Sequence, residues 1–216
     1  MLSALFDVLF PPRCLNCTAY VERRGTFCPA CMRRLIGVRA VACPREAADY
    51  LAGIWAFGHY REGLRDLLRG LKYQKRMAVL STLHTILEEG EDVLAQLPRP
   101  LIAAAVPLAQ ERQRTRGFNQ SEEIFAPWLA AHGVPLSALL KRTRETAPLY
   151  GQRRRERRRE LRSAFAVTKG AAVAGKDILL VDDIMTTGTT LAECARTLKQ
   201  AGAQRIYAFV LASEHP

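Results

Sequence analysis

The sequence has no long hydrophobic run, few aromatic residues and few histidines. No stretch approaches the ~18 uninterrupted apolar residues of a membrane-spanning helix, so we predict no membrane span. Aromatic residues make up 7% of the chain, and its 4 histidines show no spacing typical of a metal site or a triad. A P-loop motif and a G-x-G-x-x-G motif after a strand are both missing, which excludes the nucleotide-binding classes that depend on them.

The N-terminal ten residues lack the basic segment that precedes the apolar part of a secretory signal. They are apolar and run into Pro11 and Pro12. We therefore expect a short helix over Met1–Phe10 that docks on the body of the protein, with a weak membrane-surface contact as the alternative. A cytoplasmic location follows from the same reasoning.

Basic residues are abundant, with 32 Lys and Arg against 21 Asp and Glu and a formal net charge of +11. Between Glu111 and Arg162 the count is 13 basic against 6 acidic residues. Such an excess favours polyanionic partners or phosphate-bearing small molecules. Within it, the run Arg153–Arg159 is interrupted only by Glu156, and it is interpreted as a lid over a polyanionic ligand, a nucleic-acid contact or a solvated helix face.

Four of the 6 cysteines form a C-x2-C-x10-C-x2-C pattern near the N-terminus. Two such pairs can place four thiolates around one zinc ion, whereas disulfides rarely persist in a reducing compartment. With all four positions taken by cysteine, the zinc would be structural. The predicted ligands are Cys14, Cys17, Cys28 and Cys31.

From residue 52 onwards, apolar strand-like runs alternate with helix-like patterns. The strands are expected at residues 54–60, 101–106, 177–181 and 206–211, and helices at 64–73, 77–87, 121–131 and 191–201. Apolar strands alternating with helices imply a parallel sheet covered on both faces. We predict an α/β protein with two parts, an N-terminal helix and zinc-binding segment at 1–50 and a larger domain at 51–216.

The strongest functional signal is the segment from Ile178 to Thr190. A buried strand places Asp182 and Asp183 at its carboxyl end, where open α/β sheets bind ligands. The loop that follows opens a helix and offers backbone amides and hydroxyl groups to an anion. The predicted phosphate-binding residues are Thr186, Thr187, Gly188, Thr189 and Thr190.

The adjacent carboxylates suit the vicinal hydroxyl groups of a ribose, and one could reach Mg²⁺ through water. Together with the phosphate loop they describe a site for a ribose 5-phosphate. The alternative is an ordinary strand-to-helix connection in which the aspartates cap the helix.

At these residues the sequence resembles the type I phosphoribosyltransferases. The four-cysteine segment, Val106–Leu108 and the Arg116-Gly117-Phe118-Asn119-Gln120 stretch narrow the resemblance to the ComF family of competence proteins. It implies the type I phosphoribosyltransferase fold behind a small zinc knuckle, a site for phosphoribosyl pyrophosphate with Mg²⁺, and an association with uptake of transforming DNA. The position of the arginine run before the last half also corresponds to the active-site lid of phosphoribosyltransferases.

The resemblance also implies that residues Leu108–Gln120 form a second loop at the edge of the sheet, on the pyrophosphate side. Guanidinium groups match phosphate oxygens in a bidentate manner. A solvated basic surface is the alternative interpretation for any single arginine. Asn119 and Gln120 suit helix capping as well as ligand contact. The pyrophosphate or lid candidates are Arg112, Arg114, Arg116, Arg157 and Lys72.

Two functional hypotheses follow. The first is an enzyme that transfers a phosphoribosyl group from its pyrophosphate to an acceptor, with Asp182 and Asp183 on the ribose. The second is a binding module that holds phosphoribosyl pyrophosphate, a nucleotide or single-stranded DNA, and whose zinc segment docks a partner such as a DNA-uptake helicase. The acceptor, the general base and the oligomeric state do not follow from the sequence.

Overall fold

The computed structural model describes residues 10–144 and 154–215, and within the second range only the backbone of residues 154, 155, 157 and 158. All but the last residue of the helix predicted over Met1–Phe10, and Arg153 at the start of the arginine run, therefore lie outside the described residues.

A five-stranded sheet organises the chain in the order β1-β2-β7-β6-β3. Four of its strands are parallel, whereas β1 runs antiparallel along one edge. The predicted parallel sheet is confirmed, with this antiparallel edge strand as an addition from the N-terminal segment. The strands are β1 (Ile36–Ala40), β2 (Gly53–His59), β3 (Leu101–Ala105), β6 (Asp177–Met185) and β7 (Ile206–Ser213), and a separate hairpin pairs β4 (Leu140–Arg142) with β5 (Phe165–Val167).

Eight helices occur in the described residues, and a 3-10 turn at Met77–Val79 precedes the third. They are α1 (Pro29–Leu35), α2 (Glu62–Gln74), α3 (Leu80–Glu88), α4 (Glu91–Gln96), α5 (Gln110–Arg116), α6 (Gln120–Ala131), α7 (Arg154–Leu161) and α8 (Thr189–Gln200). None of these helices is long and apolar enough to cross a membrane.

Both faces of the sheet are buried, as the continuous apolar strands predict. On β6, Leu179 and Val181 belong to one apolar cluster while Ile178 and Leu180 belong to the other. Helices α2, α3 and α6 and the cysteine segment cover the first face, and α8 covers the second. The zinc-binding segment thus packs into the same core as the sheet.

Strand β6 is longer than predicted, since it continues past Val181 to Met185. Pairing with β7 extends through Asp182 opposite Val210 to Met185 opposite Ser213. The polar pair was expected to end the strand, but backbone pairing with β7 tolerates polar side chains at the edge of the sheet. Asp182 and Asp183 are therefore held on rigid strand backbone.

The segment Leu108–Gln120 is not the simple loop that was expected, because Gln110–Arg116 forms helix α5. No residue of this helix is buried, so it lacks the apolar periodicity by which helices are recognised in a sequence. Gly117 ends it at φ 84°, the left-handed conformation common after a helix.

Candidate functional site

The four predicted zinc ligands converge, with their sulfur atoms all within 4.8 Å of one another. Cys14, Cys28 and Cys31 are buried, whereas Cys17 is exposed. Such a compact group of four sulfur atoms fits a tetrahedral zinc ion. Cys43 lies apart from this group, and Cys194 is buried in α8.

Backbone amides donate hydrogen bonds into the cluster. The amide of Cys28 lies 3.2 Å from the sulfur of Cys14, and the amide of Asn16 lies 3.5 Å from it. Burial raises the pKa of the Cys14 thiol, but the amides of Cys17, Cys28 and Asn16 outweigh it and lower that pKa to about 6. At Cys14 this environment favours the thiolate, the form that binds metal.

The second site is an open cleft of about 510 Å³ at the carboxyl edge of the sheet. Seven of its lining residues were predicted from the sequence: Lys72, Asp182, Thr186, Thr187, Gly188, Thr189 and Thr190. Seven others were not: Tyr60, Tyr73, Leu161, Ile184, Met185, Leu191 and Glu214.

The threonine-rich loop at the start of α8 has the form of an anion cradle. Gly188 adopts φ 72° directly before the helix. Within residues 10–144 and 154–215, the amides from Thr187 to Thr190 donate no hydrogen bond to the protein. The hydroxyl groups of Thr187 and Thr189 lie 2.9 Å apart and bond to each other. Free amides at a helix N-terminus favour a bound phosphate.

Pro44 packs against this loop at Gly188. A Cβ atom placed on Gly188 would lie 2.4 Å from Cγ of Pro44, too close for any larger residue. Glycine is thus required here both by the positive φ and by the neighbouring proline.

The two aspartates have different surroundings. Asp182 is half-buried, and its Oδ1 accepts hydrogen bonds from the Ser121 hydroxyl at 3.1 Å and from the Asp183 amide at 2.9 Å. Burial and then the charge of Asp183 raise the pKa of Asp182 to about 7. Asp183 instead forms an ion pair with Nζ of Lys72 at 2.8 Å.

Of the three arginines predicted on the pyrophosphate side, Arg116 is close enough to Asp183 for its charge to act on the guanidinium. Its guanidinium donates to Oε1 of Gln120 at 2.7 Å and lies 5.6 Å from the centre of the Tyr73 ring. Burial lowers its pKa, against the attraction of Asp183. Arg112 lies one turn earlier and is half-buried, while Arg114 is exposed on the opposite face of the short helix.

Arg157 belongs to α7, and its side chain is not among those described. Its predicted role near the ligand stays a prediction. Leu161, at the end of the same helix, lines the cleft, so α7 ends beside the site.

Asn119 and Gln120 form hydrogen bonds within the protein and do not line the cleft. Oδ1 of Asn119 accepts from the amide of Ser121 at 3.1 Å and caps α6, and its Nδ2 donates to the carbonyl of Val106 at 3.1 Å. Gln120 is buried against Arg116. Of the two interpretations given for Asn119, helix capping is therefore the one observed.

Sequence reasoning missed Ser121, Tyr73, Pro44 and Asn16 as residues of the two sites. Ser121 and Pro44 contact Asp182 and Gly188 only through tertiary packing, which no local pattern reveals. Tyr73 carried a signal, since it follows Lys72 at the end of a predicted helix. Asn16 also carried a signal, since it sits between the first two cysteines, next to the predicted metal ligands.

Two domain families match this chain. Residues 5–56 match the double zinc ribbon domain, and residues 102–215 match the phosphoribosyl transferase domain. Together with the mostly parallel sheet and the cysteine cluster, these matches define a phosphoribosyltransferase-fold protein with an N-terminal structural zinc site.

Comparison with similar proteins assigns the chain to a family within this class of phosphoribosyltransferase-fold proteins. The DNA utilization protein YhgH of Escherichia coli O157:H7 is 36% identical, covering 92% of this chain and 88% of that protein. Competence protein F of Haemophilus influenzae is 29% identical over 93% and 84% of the two chains, and competence protein ComFC of Streptococcus pneumoniae is 26% identical over 92% and 86%. The chain belongs to the ComF family, as the sequence motifs predicted.

Solved structures with a related fold include a hypoxanthine phosphoribosyltransferase from Staphylococcus aureus. It has a TM-score of 0.40 and 17% identity, covering 62% of this chain and 64% of that chain. At this level the likeness carries no argument about activity.

Proposed function

We propose that the cleft binds phosphoribosyl pyrophosphate and that the protein transfers its phosphoribosyl group to an acceptor. The observation that carries this proposal is the set of free amides from Thr187 to Thr190, in a loop that lines the same cleft as Asp182. A phosphate on the amides would place the ribose hydroxyl groups within the neighbourhood of the aspartates.

Each group of residues has a separate task in this proposal. The loop holds the 5-phosphate, Asp182 accepts from the ribose hydroxyl groups, and Arg116 with Arg112 neutralises the departing pyrophosphate. Magnesium fits the donor set of the cleft, because Asp182 and Glu214 both supply carboxylate oxygens there. When bound, Mg²⁺ supplies positive charge to the pyrophosphate. The protein itself mainly binds and orients.

The relatives suggest a process in which this activity operates. Their names refer to competence and to DNA utilization. We therefore associate the chain with the uptake and use of external DNA, acting in the cytoplasm.

Calorimetric titration with phosphoribosyl pyrophosphate and Mg²⁺ tests the proposal. We expect saturable binding by the unaltered protein, and an affinity at least ~10-fold weaker in the variant Thr187→Val/Thr190→Val, since hydrogen bonds to charged groups contribute about 1.5–3 kcal/mol. Thr168→Val is the matched control, because Thr168 is half-buried far from the cleft lining. Absence of binding by the unaltered protein would overturn the proposal.

A turnover assay separates an enzyme from a binding module. The protein is incubated with phosphoribosyl pyrophosphate, Mg²⁺ and a panel of nucleobases and amines, and pyrophosphate release is measured. Release that depends on one acceptor class and is lost in Asp182→Asn supports transfer. Binding without release across the panel supports the non-catalytic alternative, in which the ligand is a signal.

Single-stranded DNA is a second candidate ligand, favoured by the arginine-rich helix α7 that ends beside the cleft. Such contacts would be independent of base sequence and sensitive to salt. DNA affinity that survives Asp182→Ala but is lost when the arginines of residues 153–159 are replaced by glutamine would support this candidate. The docking of an uptake helicase on the zinc segment remains part of the same proposal.

A further inference from the structure

Helix α2 begins without a cap of its own. Among the described residues, its N-cap residue Arg61 makes no side-chain capping bond, and the first helical residue, Glu62, has a left-handed φ of 48°. A helix start of this kind leaves amides without partners and holds a non-glycine residue in an unfavourable conformation. A neighbouring part of the chain must therefore hold it in place.

Asn16, between the first two zinc-ligand cysteines, supplies the missing cap. Its Oδ1 accepts from the amide of Gly63 at 2.8 Å, and its Nδ2 donates to the Glu62 carboxylate at 2.9 Å. The same Nδ2 group lies 3.4 Å from the sulfur of Cys31. One side chain thus contacts both a zinc ligand and the first turn of α2.

The contact between the zinc segment and α2 is tight. A Cβ atom on Gly63 would lie 2.8 Å from the ring of Phe27 and 3.1 Å from the carbonyl oxygen of Leu15. Arg34, just after the cysteines, also pairs with Glu62 at 3.1 Å. The first turn of α2 is therefore fixed to the zinc segment by hydrogen bonds, charge and packing.

The other end of α2 reaches the cleft. Lys72 lines the cleft and bonds to the buried Asp183. The next residue, Tyr73, also lines the cleft and lies beneath the guanidinium of Arg116. The helix has 13 residues, a length of about 20 Å, and its apolar face is buried. It is thus a rigid connection between the metal cluster and the aspartates.

We infer that Asn16 is a positioning residue that couples zinc occupancy to ligand affinity in the cleft through α2. A zinc ion fixes the sulfur of Cys31, this sulfur orients the Asn16 amide, and the amide holds the first turn of α2, so that Lys72 meets Asp183. The inference deepens the proposed function and rests on it for the identity of the ligand.

The variant Asn16→Ala tests the inference. We expect its affinity for phosphoribosyl pyrophosphate with Mg²⁺ to fall roughly 5- to 10-fold, the scale of a lost helix cap. Zinc content, measured on the same sample, is expected to stay near one ion per chain. Glu22→Ala is the control, since Glu22 is exposed in the same segment and, among the described residues, forms no hydrogen bond or ion pair with α2. Unchanged affinity in Asn16→Ala with zinc retained would overturn the coupling.

A double-mutant cycle with Lys72→Met separates positioning from general destabilisation. If Asn16 acts through Lys72, the losses of affinity in the two single variants are not additive, and the double variant is hardly weaker than Lys72→Met alone. Additive losses would mean that Asn16 affects affinity independently of Lys72, which would overturn the coupling through α2.

Hydrogen exchange gives a readout that needs no ligand. Removal of zinc by a chelator, and Asn16→Ala with zinc bound, are both expected to speed amide exchange at residues 70–74, the end of α2 farthest from the metal. Slow exchange there under both conditions would contradict the coupling. If exchange responds but the unaltered protein binds no phosphoribosyl pyrophosphate, the proposed function fails while the coupling stands.

Discussion

Asp182 is a carboxyl group whose surroundings oppose its charge. Burial and Asp183 raise its pKa from 3.8 to about 7. Between these pH values the folded protein therefore retains a proton that the unfolded chain has lost. The side chain faces a cleft rather than a sealed core, so a bound cation or sugar could reverse this preference.

The pH dependence of the free energy of unfolding should reveal the titration of Asp182. Between the ordinary pKa of 3.8 and about 7, the native state binds more protons than the unfolded state, so the contribution of Asp182 to stability falls as pH rises through that range. Asp182→Asn removes this slope and is expected to stabilise the protein at pH 8 by about 2 kcal/mol or more. Urea unfolding at pH 5 and pH 8 measures it.

Asp66→Asn is the control for that measurement, because the Asp66 side chain is 69% exposed. It should leave the slope unchanged. An Asp182→Asn variant with the slope of the unaltered protein would mean that the carboxyl group is ionised throughout this range.

At this scale the sequence predicts residue types better than their partners. The pair Asp182–Asp183 was identified from its place after an apolar strand. The two residues that distinguish one aspartate from the other, Lys72 and Ser121, come from distant parts of the chain. A pKa depends on those neighbours, and no local pattern contains them.

Among the elements, α6 is tied to the sheet by its N-cap residue. Asn119 caps the helix and also donates to the carbonyl of Val106, directly after β3. Asn119 is buried, so replacement would leave the Val106 carbonyl without this donor. The helix that supplies Ser121 to Asp182 is therefore held at its N-terminus.

Asn119→Ala is expected to lower the free energy of unfolding by about 1–2 kcal/mol, through loss of the cap and of a buried hydrogen bond. Chemical denaturation measures the change. Gln113→Ala is the matched control, since Gln113 is exposed in the neighbouring helix α5 and its variant should stay within about 0.5 kcal/mol of the unaltered protein. Equal stability of the two variants would exclude the capping role.

Long elements with a strong apolar pattern were predicted well, and short or polar ones were not. Helices α2 and α6 and strands β2 and β7 lie where the spacing of apolar residues indicated. Strand β1 and helix α5 were missed, because five edge residues that include a glycine and an arginine, and seven polar helical residues, show no clear period.

At the scale of the whole molecule, the zinc segment and the sheet share one apolar cluster. Cys14, Phe27 and Cys31 belong to the same buried group as Phe57 and Leu64. The division predicted at residue 50 stays a prediction, but residues 36–40 already form an edge strand of the sheet. Unfolding of the zinc segment should therefore affect the rest of the protein.

Removal of zinc by a chelator is expected to lower the melting temperature by roughly 10 °C, with unfolding still a single transition, since one kcal/mol corresponds to about 2–4 °C at this size. Calorimetry of two matched variants tests this expectation. Cys28→Ser removes a metal ligand and should lower the melting temperature as the chelator does. Cys43→Ser lies outside the metal cluster and should leave the melting temperature unchanged. Two well-separated transitions would show that the parts unfold independently.

The parallel sheet and the four clustered cysteines could be predicted from the sequence because both depend on local spacing, whereas the phosphoribosyltransferase fold was predicted from the family resemblance. The shared core could not be predicted, since it depends on which faces of the helices meet.

The proximity of Pro44 to Gly188 has a consequence for any attempt to shorten the chain. A fragment starting at residue 51 would include every residue of the threonine-rich loop and yet lack the ring that backs it. We expect such a fragment to lose the shape of the loop, so a minimal unit that keeps the proposed phosphate-binding loop has to begin upstream of Pro44.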